Sequence, residues 1–225
     1  CDLACGDDCI AIKSGRDGNG ARVNRKSSRI EVARCKIRSG YGVTIGSEVS
    51  AGVSDVYIHD IDFFQSDCGI RMKSSKERGG VIENIRVENL NMIDVQFPFS
   101  WIMDWHNEYN RKNSNDLAQM PESWQAVAEE IPESKQMTKV KDIHIKNVQA
   151  CLSPGYSLPS RAFDLVAFPE KPIEDVCFSH CQITAKEFGR IEAVQNLCFK
   201  SCDLSIETGN TAANKIGRAS CRERV

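Results

Sequence analysis

The chain has almost no charge to spare, since 29 Lys and Arg residues stand against 31 Asp and Glu, a formal net charge of −2. That balance gives no reason to expect nucleic acid as a partner. Long apolar runs are missing too, so no stretch approaches a membrane span. Cysteines are present, but Cys1, Cys5 and Cys9 recur four apart without a Cys or His pair nearby. No zinc spacing results, and no metal or cofactor is expected. The sequence opens on Cys1 rather than Met, in the middle of a repeat, and reads as truncated at its N-terminus. The absence of a signal peptide therefore says nothing about export. Helical periodicity is absent between the apolar segments.

What the chain does have is repetition. Three stretches superimpose: Asp8-Cys9-Ile10-Ala11-Ile12-Lys13-Ser14, Tyr41-Gly42-Val43-Thr44-Ile45-Gly46-Ser47 and Cys68-Gly69-Ile70-Arg71-Met72-Lys73-Ser74. A second family has apolar residues at its first, third, sixth and eighth places and begins at Ile30, Val56, Ile85, Ile143, Val176 and Leu197. Within each copy alternation is broken once by two polar residues and then resumes, which describes a strand, a bend and another strand. The bend often carries Asn, Asp or His, residues that tolerate turn geometry. The copies are spaced by 26, 29, 58, 33 and 21 residues, too long for hairpins and within the range of solenoids. The economical fold is all-β, a single-stranded parallel β-helix in which each coil buries a ladder of Ile, Val, Leu, Phe and Cys against the next. An antiparallel sandwich of look-alike strands is the less economical alternative.

The β-helix domain is expected over 1–207. The 58-residue gap holds an insertion over 98–139 with all three tryptophans, Trp101, Trp105 and Trp124, together with His106 and Tyr109. Such a loop is usually functional or locally folded, and 114–130 has room for a short helix. Trp101, Trp105 and Tyr109, about four residues apart, suit either sugar stacking or packing onto the solenoid flank. His106 reads as a surface or packing residue. Residues 208–225 read as a non-native tail, in which 216–225 resembles translated adapter sequence. Cys35, Cys181 and Cys202 fall in the same inward column as Ile61, Leu90 and Val148 and read as small buried hydrophobes. A Cys9–Cys35 bridge is conceivable but not favoured.

Chemistry concentrates in the first repeat family. Gly6-Asp7-Asp8-Cys9 sets two carboxylates side by side before an apolar strand, and Gly6 allows the backbone to bend so that neither is driven inward. Two close carboxylates repel, which separates a proton donor from a base, and glycoside hydrolysis uses such a pair. A turn pair or a calcium ligand pair reads equally from spacing alone. If the three stretches stack, Tyr41 lies one coil from Asp8, and Arg71 and Lys73 lie two coils away, about 10 Å along the axis. Thr44 and Ala11 share the Arg71 column, and Gly46 sits between Lys13 and Lys73. Arg71 and Lys73 share parity and face outward, where guanidinium and ammonium together suit a carboxylate-bearing ligand. Arg16, Arg22, Arg25, Lys26 and Arg29 follow the first strand and suggest either a basic rim or a solvated loop.

Gly6-Asp7-Asp8-Cys9-Ile10-Ala11-Ile12-Lys13-Ser14-Gly15, Gly40-Tyr41-Gly42-Val43-Thr44-Ile45-Gly46-Ser47-Glu48 and Ile70-Arg71-Met72-Lys73 together resemble glycoside hydrolase family 28, the polygalacturonases and related pectin hydrolases. The resemblance implies a right-handed parallel β-helix that hydrolyses α-1,4-galacturonide linkages with inversion. Asp7 would be the general acid and Asp8 one of the carboxylates that activate water. Arg71 and Lys73, with Tyr41, would bind the sugar next to the cleaved bond. An acidic polysaccharide partner, a monomer and an extracellular or periplasmic location are implied in the same way. Two departures stand out: the family's further Asp belongs to a preceding coil that is not in this sequence, and Tyr41 replaces the His of the family's Gly-His-Gly motif. A phenol with a pKa near 10 cannot supply an imidazolium's charge. A weakly active or non-catalytic carbohydrate-binding β-helix and a pectate lyase are the alternatives, and the Asp-Asp and Arg-Met-Lys pairing argues against the lyase.

Overall fold

The computed structural model describes residues 1–105, 119, 121–127 and 130–207. Its strands form two sheets whose neighbours all run parallel. The first passes from Asp2–Leu3 through Lys36–Ile37, Val53–Phe64, Val81–Ile93, Lys139–Cys151 and Ile173–Ser179 to Val194–Lys200. The second stacks Ile10–Ile12, Val43–Gly46, Cys68–Lys73, Phe97–Ile102, Arg161–Val166 and Glu187–Glu192. Because the chain alternates between the sheets and returns one coil further on each time, the architecture is a parallel β-helix, as the repeats predict.

Register follows the repeat anchors residue for residue. Ile30, Val56, Ile85, Ile143, Val176 and Leu197 form one column of paired residues. From Val56 to Ile183, the inward residues of four copies are buried, among them Ile58, Phe63, Val87, Met92, Ile145 and Phe178. Cys35 and Cys181 are buried in the same ladder and Cys202 is half-buried. Cys9 and Cys35 carry free thiols and do not form a bridge. Burial also pushes the Cys68 thiol up to about 12, which suits a residue that fills space.

Each copy bends twice, whereas the sequence pattern shows one bend. The fifth residue is left-handed in all six copies (Arg34, Asp60, Asn89, Asn147, His180 and Ser201). So is the residue just before each anchor: Arg29, Asp55, Asn84, Asp142, Asp175 and Asn196. Asn and Asp tolerate that region, and here they also bond between coils. Asn84 Nδ2 donates to Asp55 Oδ1 at 2.6 Å, Asn89 to Asp60 at 2.9 Å and Asn196 to Asp175 at 2.8 Å.

Three further features depart from expectation. Residues Asp17–Val23 form a seven-residue helix where the basic segment reads as loop. The chain also leaves the solenoid later than residue 98, because Phe97–Ile102 is a strand paired with Cys68–Lys73 on one side and Arg161–Val166 on the other. Trp101 is therefore a core residue, with none of its surface exposed. It stacks on Phe178 at 5.9 Å and meets Phe99 edge-on at 6.2 Å. Beyond it, Trp124 lies in the short helix Glu122–Val127, inside the segment expected to hold one. His106, Tyr109 and the tail 208–225 lie outside the described residues. Among the described residues no helix is long and apolar enough to cross a membrane.

Candidate active site

The three stretches with chemical residues pair as aligned. Ala11, Thr44 and Arg71 form one column, and Gly46 pairs with Lys73 in the next outward position. Two glycines make the close approach possible around Tyr41. A Cβ on Gly42 would stand 2.2 Å from the Gly69 carbonyl oxygen, and one on Gly40 would stand 2.4 Å from that of Asp7. Both have positive φ, so only glycine satisfies backbone and space together. The coil is closed by Tyr41 N–H donating to the Asp7 carbonyl at 3.1 Å and Cys9 N–H donating to that of Gly42 at 3.1 Å.

Asp8 is the hub. Its Oδ1 accepts from Thr44 Oγ1 at 2.7 Å and from Arg71 Nη1 at 3.2 Å, while Oδ2 accepts from Lys73 Nζ at 2.8 Å. The side chains of Asp8, Arg71 and Lys73 are only 9%, 14% and 8% exposed. Backbone spacing alone would leave the cations two coils from Asp8, but their long side chains cross that distance and close ion pairs. The two aspartates also part company: Asp8 turns into the cations, while Asp7 is exposed. Opposite charge, rather than repulsion from Asp7, dominates the surroundings of Asp8.

Aromatic faces complete this cluster. The Arg71 guanidinium carbon lies 4.3 Å from the centroid of the Tyr41 ring, and Lys73 Nζ lies 5.0 Å from that of Trp105. Trp105 is placed by its backbone N–H, which donates to the Ser74 carbonyl at 2.9 Å. It is thus the one tryptophan of the described side chains that reaches the site; Trp101, offered by the same spacing, does not.

A cleft of about 500 Å³ joins Asp7, Asp8, Tyr41, Arg71, Lys73 and Trp105 to Lys13, Arg16, Ser47, Glu48 and Arg78. Lys13 Nζ donates to Glu48 Oε2 at 2.5 Å. Burial would raise the Glu48 carboxyl, but Lys13, Arg78 and Arg16 together hold it below its ordinary value. Behind this wall, Arg78 pairs with Asp17 and both side chains are 2% exposed; Arg16 Nε reaches the other Asp17 oxygen at 3.1 Å. The sequence reading missed Asp17, Arg78 and the role of Thr44. Thr44 had a signal in its column, whereas Asp17 opens the helix Asp17–Val23 and Arg78 sits in a turn, both outside the repeats. Of the basic residues proposed as a rim, Arg16 alone lines this cleft, and Lys26 is instead paired with Glu83 at 2.8 Å. Among the described residues no group of three or more His, Cys, Asp or Glu could hold a metal ion.

The family model for glycosyl hydrolases family 28 matches residues 1–121, more than half of the chain. The chain belongs to this family. A Vitis vinifera relative described as a probable polygalacturonase is 35% identical over 101 residues, 44% of this chain and 21% of that protein. An endo-polygalacturonase of Pectobacterium parmentieri is 31% identical over 96 residues, 43% of this chain and 22% of the relative. The family 28 chain thus spans about a fifth of the length of these relatives. Among solved structures, a hyperthermoactive exopolygalacturonase from Thermotoga maritima superimposes on 91% of the chain and 40% of its own, with a TM-score of 0.67 at 20% identity. A family 28 exopolygalacturonase from Yersinia enterocolitica gives a TM-score of 0.61 at 16% identity, over 92% of the chain and 35% of its own. The fold of this family 28 member is accordingly the right-handed parallel β-helix.

Proposed function

We propose that the protein hydrolyses α-1,4-galacturonide linkages of pectin with inversion. The observation that carries this reading is the charge of the cleft. Five cations (Lys13, Arg16, Arg71, Lys73 and Arg78) line it beside three carboxylates (Asp7, Asp8 and Glu48), and with Asp17 behind the wall taken into account one cation is still in excess, in a chain whose net charge is −2. A local excess of positive charge in an otherwise slightly acidic protein favours an acidic polymer.

In this reading Asp7, exposed at the mouth, is the general acid that protonates the leaving glycosidic oxygen. Asp8 serves with a further carboxylate, implied by the resemblance on a preceding coil, to orient water and take its proton as it attacks the anomeric carbon from the opposite face. Arg71 and Lys73 receive the uronate carboxylate, the first through its planar fork and the second as a point charge. A site for an extended polymer fits a monomeric protein acting outside the cytoplasm, in the extracellular space or periplasm, where pectin is met.

The test is to incubate the full protein with polygalacturonate and follow reducing ends. New reducing ends are expected, and Asp7→Asn abolishes them. Failure of the full protein to hydrolyse either polygalacturonate or rhamnogalacturonan would overturn the proposal. Products that absorb in the ultraviolet would mark elimination instead, and binding unchanged by Asp7→Asn without turnover would mark a carbohydrate-binding solenoid.

A further inference from the structure

Tyr41 stands where the family motif has His, and its surroundings show which part of the side chain is used. The phenol oxygen makes no hydrogen bond among the described residues. The backbone N–H, by contrast, is engaged: it donates to the Asp7 carbonyl at 3.1 Å. The ring face is covered by Arg71, with 4.3 Å between guanidinium carbon and centroid. A guanidinium has a face and an edge. Here the face is held by the ring, one edge nitrogen is held by Asp8 at 3.2 Å, and the remaining donors of the fork are left for a ligand.

We propose that Tyr41 is a positioning residue that acts through its ring face: it fixes the plane of the Arg71 guanidinium so that the fork meets the carboxylate of an acidic sugar, and it thereby sets preference for free uronate over its methyl ester. The inference rests on the pectin reading above and deepens it. An unstacked arginine would sample many orientations and lose that freedom on binding, so a platform that holds it beforehand raises affinity without touching the ligand. A methyl ester has no charge for the fork to meet, so its binding depends much less on Arg71 being held. The phenol hydroxyl is dispensable in this arrangement, which distinguishes it from a role in bonding a sugar hydroxyl.

The experiment is calorimetric titration of trigalacturonate, and of its methyl ester, into the protein carrying Asp7→Asn, which serves as the parent because turnover is abolished in it, and into the same protein with Tyr41→Phe, Tyr41→Leu or Tyr41→His added. Phe keeps the ring and drops the hydroxyl, whereas Leu keeps apolar bulk and drops the ring; thermal melting checks that each variant is folded. Tyr41→Phe is expected to bind like the parent. Tyr41→Leu is expected to lose about two- to thirtyfold for the acid, the span of a cation–π contact, and far less for the ester. Tyr41→His is expected not to improve on the parent. Equal damage in Phe and Leu would assign the role to the hydroxyl and overturn the proposal, as would a Leu variant that binds both ligands like the parent. If the parent itself binds no oligogalacturonate, the pectin reading fails and this inference fails with it; a parent that binds with an indifferent Leu variant defeats this inference alone.

Discussion

Trp101 and Trp105 are four residues apart, and the structure assigns them opposite jobs, so substituting each in turn tests the whole placement. Trp101 has no exposed surface and is enclosed by Phe99 and Phe178. Truncating a buried tryptophan to Ala costs about 3–5 kcal/mol. For a domain of this size that lowers the melting temperature by about 6–20 °C. Trp101→Phe is more informative. The indole Nε1 is buried with no hydrogen-bond partner among the described residues, a burden of about 1–3 kcal/mol that the phenyl ring removes. Against it stands a residual cavity of a few tens of Å³, about 1 kcal/mol at ~24 cal/mol per Å³, together with lost apolar contact. The two effects nearly cancel, so Trp101→Phe is expected within about 1 kcal/mol of the parent. Trp105 is half-buried at the cleft beside Lys73, and Trp105→Ala is expected to weaken trigalacturonate binding while moving stability by less than about 1 kcal/mol. Denaturant unfolding and calorimetric titration on the same samples give both readouts. The placement is refuted if Trp101→Ala leaves stability intact and weakens binding, or if Trp105→Ala does the reverse.

Asp7→Asn should abolish turnover while changing denaturation midpoints by no more than about 0.5 kcal/mol, because Asp7 is an exposed side chain; a large loss of stability would mean it has a structural role. Arg78→Met is expected to cost about 3–5 kcal/mol by leaving Asp17, 2% exposed, without its main counter-ion, and adding Asp17→Asn should recover part of that, since the buried charge is then gone. Denaturant titration of the two singles and the double decides, and an additive double would refute the pairing. His59, stacked on Tyr57 at 4.1 Å, has its pKa raised first by Asp60 and then, against burial, by Glu31. Its folded-state value exceeds the unfolded one, so its contribution is complete below about 6.5 and is lost as pH rises through the raised value. The melting-temperature gap between the parent and His59→Asn should therefore be wider at pH 5.5 than at pH 9, and an equal gap would sink the assignment.

The fold was legible because a solenoid asks for the same kind of residue at the same place in every coil. The anchors from Ile30 to Leu197 could be aligned by pattern alone, and the structure pairs them in that register. The same logic extends to the strand of Trp101: Phe99 lies as far from Ile70 as Ile85 does from Val56, and each pair is a register pair. Proximity to the Trp-rich insertion disguised a further copy of the first repeat family. The second bend was hidden differently. Asp55, Asn84, Asp142, Asp175 and Asn196 precede their anchors and look like ordinary polar punctuation, although the left-handed backbone there turns the chain. Columns also say nothing of reach. From spacing, Arg71 and Lys73 stood two coils from Asp8, and only side-chain length closes the contacts at 3.2 and 2.8 Å.

Those contacts explain how two cations, Lys73 buried and Arg71 half-buried, can stand ready in a cleft. Lys73 is 8% exposed and Arg71 is 14% exposed, so each has surrendered much of its hydration, a cost of several kcal/mol per ion without a counter-charge. Asp8 supplies that charge when no sugar is present, and Thr44 Oγ1 steadies the shared oxygen. An arriving uronate would draw the cations' free donors toward itself and relax their hold on Asp8, so that substrate recognition and the freedom of the carboxylate become one event. Asp8→Asn then removes both at once: it strands Arg71 and Lys73 without their counter-charge and, on the mechanism proposed above, takes away a base. The expected outcome is lost stability together with lost turnover, partly offset in stability alone by added oligogalacturonate, whose carboxylates replace the missing charge. A melting temperature unmoved by the substitution would show that the cations do not depend on Asp8.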